Sequence, residues 1–138
     1  MPDLVRLSLS IESSLYKRLE KLVKQSGYSN RSEFIRDLIR DRLVKDKWKS
    51  DDEVIGTITL VYDHNVRALS RKLTSLQHHH HNEILATTHV HLDRNICAEM
   101  ILVRGKAGRV RHIADSLRQQ KGILHAELSM SSTGQDLK

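Results

Sequence analysis

His89 and His91 stand two residues apart in a stretch, 83–92, that reads as a β-strand. Both imidazoles therefore leave the same face, about 7 Å apart at roughly 3.4 Å of rise per residue. Cys97 is the only cysteine of the chain and follows the turn Asp93-Arg94-Asn95, at the start of a further strand, 96–104. Two antiparallel strands joined by so short a turn form a hairpin, and Cys97 lies beside the two histidines if its side chain shares their face. Two imidazoles and a thiolate supply three corners of a metal site. Such N and S donors suit Zn(II), Cu and Ni(II) and exclude Mg(II) and Ca(II). A fourth ligand is available from the run His78, His79, His80, His81, which ends the preceding helix and belongs to the same chain or to another. The other histidines, His64, His112 and His125, have no recurring partner spacing and read as surface or structural residues.

The elements that must hold these groups follow from periodicity. Residues 54–62 form a strand, and Asp63 is placed to cap a helix carrying Val66, Leu69, Leu73 and Leu76 at helical spacing. The hairpin comes next. Val110, Ile113, Ala114 and Leu117 mark a helix after Gly108, which Gly122 stops, and Ile123 to Met130 is the last strand. The tail from Ser131 to Lys138 is polar and expected to be loose. The order β-α-β-β-α-β over 54–130 is that of a ferredoxin-like domain, a four-stranded antiparallel sheet with two helices on one face.

The first fifty residues have a different character. Val5, Leu7, Leu9 and Ile11 alternate with Arg6, Ser8 and Ser10, the signature of a strand with one apolar face. Ser13 opens a helix with Leu15, Leu19, Leu22 and Val23 on one stripe, and Gly27 closes it. Asn30 and Glu33 then make a capping-box-like start for a second helix, running to about Trp48 through Phe34, Ile35, Leu38, Ile39 and Leu43. A β-α-α module of this size cannot bury enough surface alone, and its strand has both edges unpaired. Pairing with the same strand of a second chain answers both needs. The resulting two-stranded ribbon projects Arg6, Ser8 and Ser10 of both chains from its exposed face, and such a ribbon fits the major groove of DNA. The start of the second helix, near Asn30 to Ser32, offers free backbone N–H groups to a phosphate.

Composition agrees with this division. The 138 residues carry a formal net charge of +6. Residues 1–50 hold twelve Lys and Arg against seven Asp and Glu, whereas 51–138 hold eleven against ten together with all nine histidines. The excess of positive charge thus sits on the part expected to meet phosphates. The acidic stretch Ser50-Asp51-Asp52-Glu53 marks the boundary between a domain of 1–50 and one of 51–138. No apolar run is long enough to span a membrane, the start Met1-Pro2-Asp3 is no secretory leader, and a lone cysteine fits a reducing cytoplasm. Two rival functions draw on the same residues. An antitoxin would keep the β-α-α module but lack the metal hairpin. A zinc hydrolase would use His89, His91 and Cys97 with Glu99 as base, yet no substrate pocket surrounds Glu99.

The whole chain from about residue 5 to 130 resembles the NikR-type nickel-responsive transcriptional regulators. The motifs that carry the likeness are Arg6-Leu7-Ser8-Leu9-Ser10, Gly27-Tyr28-Ser29-Asn30-Arg31-Ser32-Glu33, Gln77-His78-His79-His80-His81 and His89-Val90-His91 with Cys97-Ala98-Glu99. The resemblance implies an α+β chain, a dimeric ribbon-helix-helix module followed by an ACT-like domain of ferredoxin-like β-α-β-β-α-β order. It implies a cytoplasmic repressor of nickel uptake, not an enzyme, and a homotetramer built as a dimer of dimers on a palindromic double-stranded operator. One Ni(II) per subunit is then held, in square-planar geometry, by His89, His91 and Cys97 of one chain and His78 of a neighbour. Arg6, Ser8 and Ser10 become DNA-reading side chains, Asn30 and Ser32 lie at the phosphate-facing helix start, and Arg67 matches a position that touches the DNA backbone. Glu33 and Asp37 match carboxylates of a second cation site between the domains. His79, His80 and His81 are not required by the motif and are left to bind extra metal at the surface.

Overall fold

The computed structural model describes residues 3–138; Met1 and Pro2, on which the expectation of no leader partly rests, lie outside the described residues. The chain divides into two compact units within its second helix. One runs to Leu43 and takes in Asp136–Lys138; the other is Val44–Gln135.

The first unit holds helix α1 (Ser13–Ser26) and the start of helix α2 (Arg31–Lys49). Between them Gly27 takes a left-handed φ of 78°, a conformation that costs a residue with a side chain. Asn30 Oδ1 accepts the backbone N–H of Glu33 at 2.9 Å, so the capping expected of Asn30 is present. The cap of α1 is Glu12, with no side-chain hydrogen bond; Ser13, expected to cap, is instead the first helical residue. Residues 3–12 carry no regular secondary structure, although 5–11 reads as a strand. The reason is physical: a strand needs a ladder partner, and one chain supplies none here. Val5, Leu7 and Leu9 are accordingly 87%, 76% and 64% exposed, and α1 has no buried residue at all.

The second unit is a four-stranded antiparallel sheet in the order β2-β3-β1-β4, formed by β1 (Glu53–Asp63), β2 (Ile84–His91), β3 (Ile96–Lys106) and β4 (Ile123–Ser131). Helices α3 (Leu69–His79) and α4 (Ala107–Arg118) complete the β-α-β-β-α-β order. Alternate residues of β1, Val54, Ile58, Leu60 and Tyr62, are wholly buried, as are Ile101 and Val103 of β3. They meet Leu69, Leu73, Val110, Ile113 and Leu117 from the helices, and Trp48 joins the same core.

Three details depart from the sequence reading. Asp63 does not cap a helix; its carboxylate accepts the Asn65 N–H at 2.8 Å in a local turn, and Ala68 at φ 63° holds off the helix until Leu69. Helix α4 begins at Ala107, ahead of Gly108. The polar tail is fastened rather than loose. Trp48 Nε1 donates to Ser131 O at 2.9 Å, Lys47 Nζ to Gln135 O at 2.8 Å and Arg40 Nε to Leu137 O at 3.0 Å.

Candidate metal centre

Strand register decides which side chains can share a site. In the β2–β3 ladder His89 lies opposite Glu99 and His91 opposite Cys97; in the β1–β3 ladder Cys97 lies opposite Tyr62. Since side chains alternate between faces, all five project from the face that the helices cover. The hairpin expectation holds in detail: Cys97 Sγ stands 3.2 Å from His91 Nδ1, and the rings of His89 and His91 are 5.0 Å apart between centroids. Cys97 is buried and His91 exposed, so the pair opens on solvent at the imidazole side.

His64, read from sequence as surface or structural, comes to the same place. Its backbone N–H donates to Asn95 O at 2.9 Å, its Nε2 lies 2.8 Å from Arg94 O, and its ring is 5.8 Å from that of His91. Donor atoms of His64, His91 and Cys97 lie within 4.8 Å of one another, which makes them a candidate set of metal ligands. This corrects the earlier reading. The signal that sequence lacked is the pairing of β1 with β3, which lays the residue after β1 beside the turn that leads to Cys97.

A second layer of groups fixes the imidazole of His89. Glu99 is buried and divides its carboxylate between three neighbours. Oε1 accepts the Tyr62 hydroxyl at 2.7 Å and lies 3.2 Å from His89 Nδ1, and Oε2 accepts Gln77 Nε2 at 2.8 Å. Thr87 Oγ1 in turn donates to Gln77 Oε1 at 2.9 Å. In the tautomer protonated at Nδ1, which the carboxylate would accept from, Nε2 of His89 is the lone pair left for a metal. Burial and the Glu99 carboxylate push the Tyr62 hydroxyl far up, so it stays a proton donor. Burial, then Glu99, Asp63 and Asp93, push the Cys97 thiol up as well. A bound cation would favour its thiolate.

The remaining expected ligands lie elsewhere. His78 is exposed on the outer side of α3, in an open groove with Ser70, Arg71, Thr74 and Ser75, and its ring lies 6.2 Å from that of His81, tilted by 33°. It is not among the clustered donors of its own chain. His80, expected at the surface, is buried. Burial and the neighbouring His79 lower its pKa. His125 is exposed beside Glu127 at 3.7 Å.

The side chains expected at DNA are solvent-facing: Arg6, Ser8, Ser10, Asn30, Ser32 and Arg67 are all exposed. Of the two carboxylates expected at a second cation site, Glu33 is paired with Arg36, and Asp37 with Arg40 at 3.0 Å and with the Tyr28 hydroxyl. Both already hold a cationic or donor partner.

Comparison with known proteins bears on both units. Residues 55–131 match the family model described as the NikR C terminal nickel binding domain, and residues 5–46 match that of the ribbon-helix-helix protein, copG family. A protein of Geobacter metallireducens is 51% identical over 138 residues, covering 99% of both chains. One of Solibacter usitatus is 48% identical over 139 residues, covering 100% of both, and one of Pyrococcus abyssi is 46% identical over 136 residues, covering 98% of this chain and 99% of its own. All three are named for nickel-responsive regulation. An uncharacterized protein of Thermotoga maritima superposes with a TM-score of 0.52 at 14% identity, covering 56% of this chain and 96% of its own, which is a likeness of fold alone.

Proposed function

Because the chain belongs to the family of NikR-type nickel-responsive regulators, a ribbon-helix-helix module joined to a nickel-binding domain, we propose that it represses nickel uptake genes when nickel is bound. It is a DNA-binding regulator and not an enzyme. The observation that carries the metal assignment is the contact of Cys97 Sγ with His91 Nδ1 at 3.2 Å, with His89 alongside. A thiolate and imidazoles form the donor chemistry that nickel takes up. In this reading His89, His91 and Cys97 hold one Ni(II) per subunit and His78 of an adjacent chain completes a His3Cys set. The exposure of His78 on the outer side of α3 supports a ligand offered to a neighbour rather than to its own hairpin.

Exposed apolar groups at Val5, Leu7 and Leu9 support pairing of the ribbon between two copies. Paired ribbons would turn Arg6, Ser8 and Ser10 toward base edges, with Asn30, Ser32 and Arg67 near the backbone, on a palindromic operator. Two such dimers joined through their metal domains give a tetramer. A metal set shared between chains favours one arrangement of those dimers through its differential affinity for it, which is how occupancy at the hairpin reaches the ribbons. The regulator acts in the cytoplasm.

His64 favours a second reading of the ligand set. It offers a ring nitrogen from within the same chain, so His64, His91 and Cys97 form a set that one protomer supplies unaided. Nickel titration followed by thiolate-to-metal absorption separates the two. The inter-subunit set predicts loss of absorption intensity and of operator retardation in His78→Ala and His89→Ala, with His64→Ala unaffected; the single-chain set predicts the reverse. Cys97→Ala removes the absorption in either case, and an unchanged band there would discard the hairpin as the nickel site.

A further inference from the structure

Outside the hairpin, one buried polar side-chain atom among the described residues has no partner, His80 Nδ1. His80 itself is only 6% exposed. An unpaired imidazole nitrogen in a buried position costs on the order of 1–3 kcal/mol, and an interior normally arranges a partner for it. No hydroxyl, amide or carboxylate of this chain fills the place. Two imidazoles stand beside its ring. The ring of His79 lies edge-on at 5.1 Å between centroids, and the ring of His112, from α4, lies edge-on at 6.2 Å.

We propose that His80 and His112, with His79 closing from the solvent side, form a second site for a borderline-soft divalent transition ion, held by imidazoles alone. The spacing fits. A metal–nitrogen bond of about 2.1 Å places the ion roughly 3.2 Å from a ring centroid, so two rings sharing an ion have centroids up to roughly 6.4 Å apart. Both observed separations fall within that reach. The donor atoms of this trio stand further apart than those of His64, His91 and Cys97. His79 and His112 are exposed, so they can turn about their side-chain torsions to close on the ion, and the site fills from solvent through them. The charge balance is also suitable. Glu83 and Arg109, the charged groups that act on His80, are paired with each other at 2.8 Å and add no net charge nearby. Neutral nitrogen donors select zinc, nickel, copper or cobalt over magnesium or calcium. An ion here would tie the end of α3 to α4. It would do so without the thiolate, and therefore independently of the Cys97 site.

The test is a Zn(II) titration of the full-length protein labelled with nitrogen-15 in histidine, followed by NMR of the ring nitrogens. Zinc is the probe because it is diamagnetic. The expected result is that His80 and His112 shift together at the same zinc occupancy, in the native chain and in Cys97→Ala alike. His112→Gln, an exposed substitution, should weaken that event by about ten-fold or more, the scale that even an outer partner of a metal ligand commands. His79→Gln should weaken it less. Shifts confined to His78, His79 and His81, with His80 unmoved, would mean chelation by the surface run and would overturn the proposal. Unchanged affinity in His112→Gln would overturn it equally.

Discussion

The two units differ in how much of their own apolar surface they cover. In Val44–Gln135 a sheet and two helices close over Ile58, Leu60, Ile101 and Ile113, each wholly buried. In the first unit α1 buries nothing, and Leu38 and Ile39 of α2 remain about half exposed. The contrast teaches which unit closes its own core and which leaves apolar surface open. The metal-binding unit is a folded object in one chain. The ribbon-helix-helix unit leaves apolar side chains open, and its strand exists only as a pattern, as the proposed pairing with a second copy would require.

The sharpest way to break this contrast is Leu60→Ala. Leu60 has no exposure, so the substitution should cost about 2–5 kcal/mol and appear as an earlier cooperative unfolding of the metal unit in urea. A cost under about 1 kcal/mol would mean that the core is not sealed. Next in size is the effect of dilution. Lowering protein concentration 100-fold should destabilise the first unit by about 2.7 kcal/mol per dimer, while leaving the intrinsic core of the second in place. Circular dichroism against concentration reads this, and a first unit indifferent to dilution would remove the need for a partner.

A smaller effect sharpens the metal side. Cys97 keeps its proton above the ordinary cysteine range, because of burial first and Glu99 next. Ligation as thiolate must release that proton, so below the thiol's value apparent nickel affinity should rise about ten-fold for each unit by which pH is raised. A flat profile in that range would take the thiolate out of the site. Smallest is Glu83→Gln. The hydrogen bond from Arg109 holds the Glu83 carboxyl below its ordinary value. Its stabilisation is therefore present above the unfolded carboxylate pKa of about 4.3 and is lost as pH falls through the folded value. Arg109 is half exposed, so the substitution should cost at most about 1 kcal/mol in thermal unfolding and remove that part of the acid dependence.

Much of this was legible because local signals agreed with global ones. The spacing of His89, His91 and Cys97 pointed to a hairpin with both imidazoles on one face, and the strand register adds Cys97 to that face. Gly27 ended its helix at positive φ, as short-range rules require, whereas the helix expected to run to Gly122 closes at Arg118 with Gln119 as its cap. What stayed hidden depended on contacts between distant strands. His64 joins Cys97 only through the β1–β3 ladder, and Glu99 appeared as a rival enzyme's base until register set it beside His89, Tyr62 and Gln77. His80 looked like one member of a surface run because four identical neighbours conceal which of them turns inward. The alternation at 5–11 was plain, yet alternation states a preference and not a partner.

Trp48 is the only tryptophan of the chain. Its indole N–H is bound to Ser131 O, and the Arg111 guanidinium lies 5.6 Å from its ring. All indole fluorescence therefore originates from one spot, where the long second helix is rooted in the sheet unit. The molecule carries its own optical gauge of that root. A shift in emission colour or in quenching by iodide would report its loosening without any added dye.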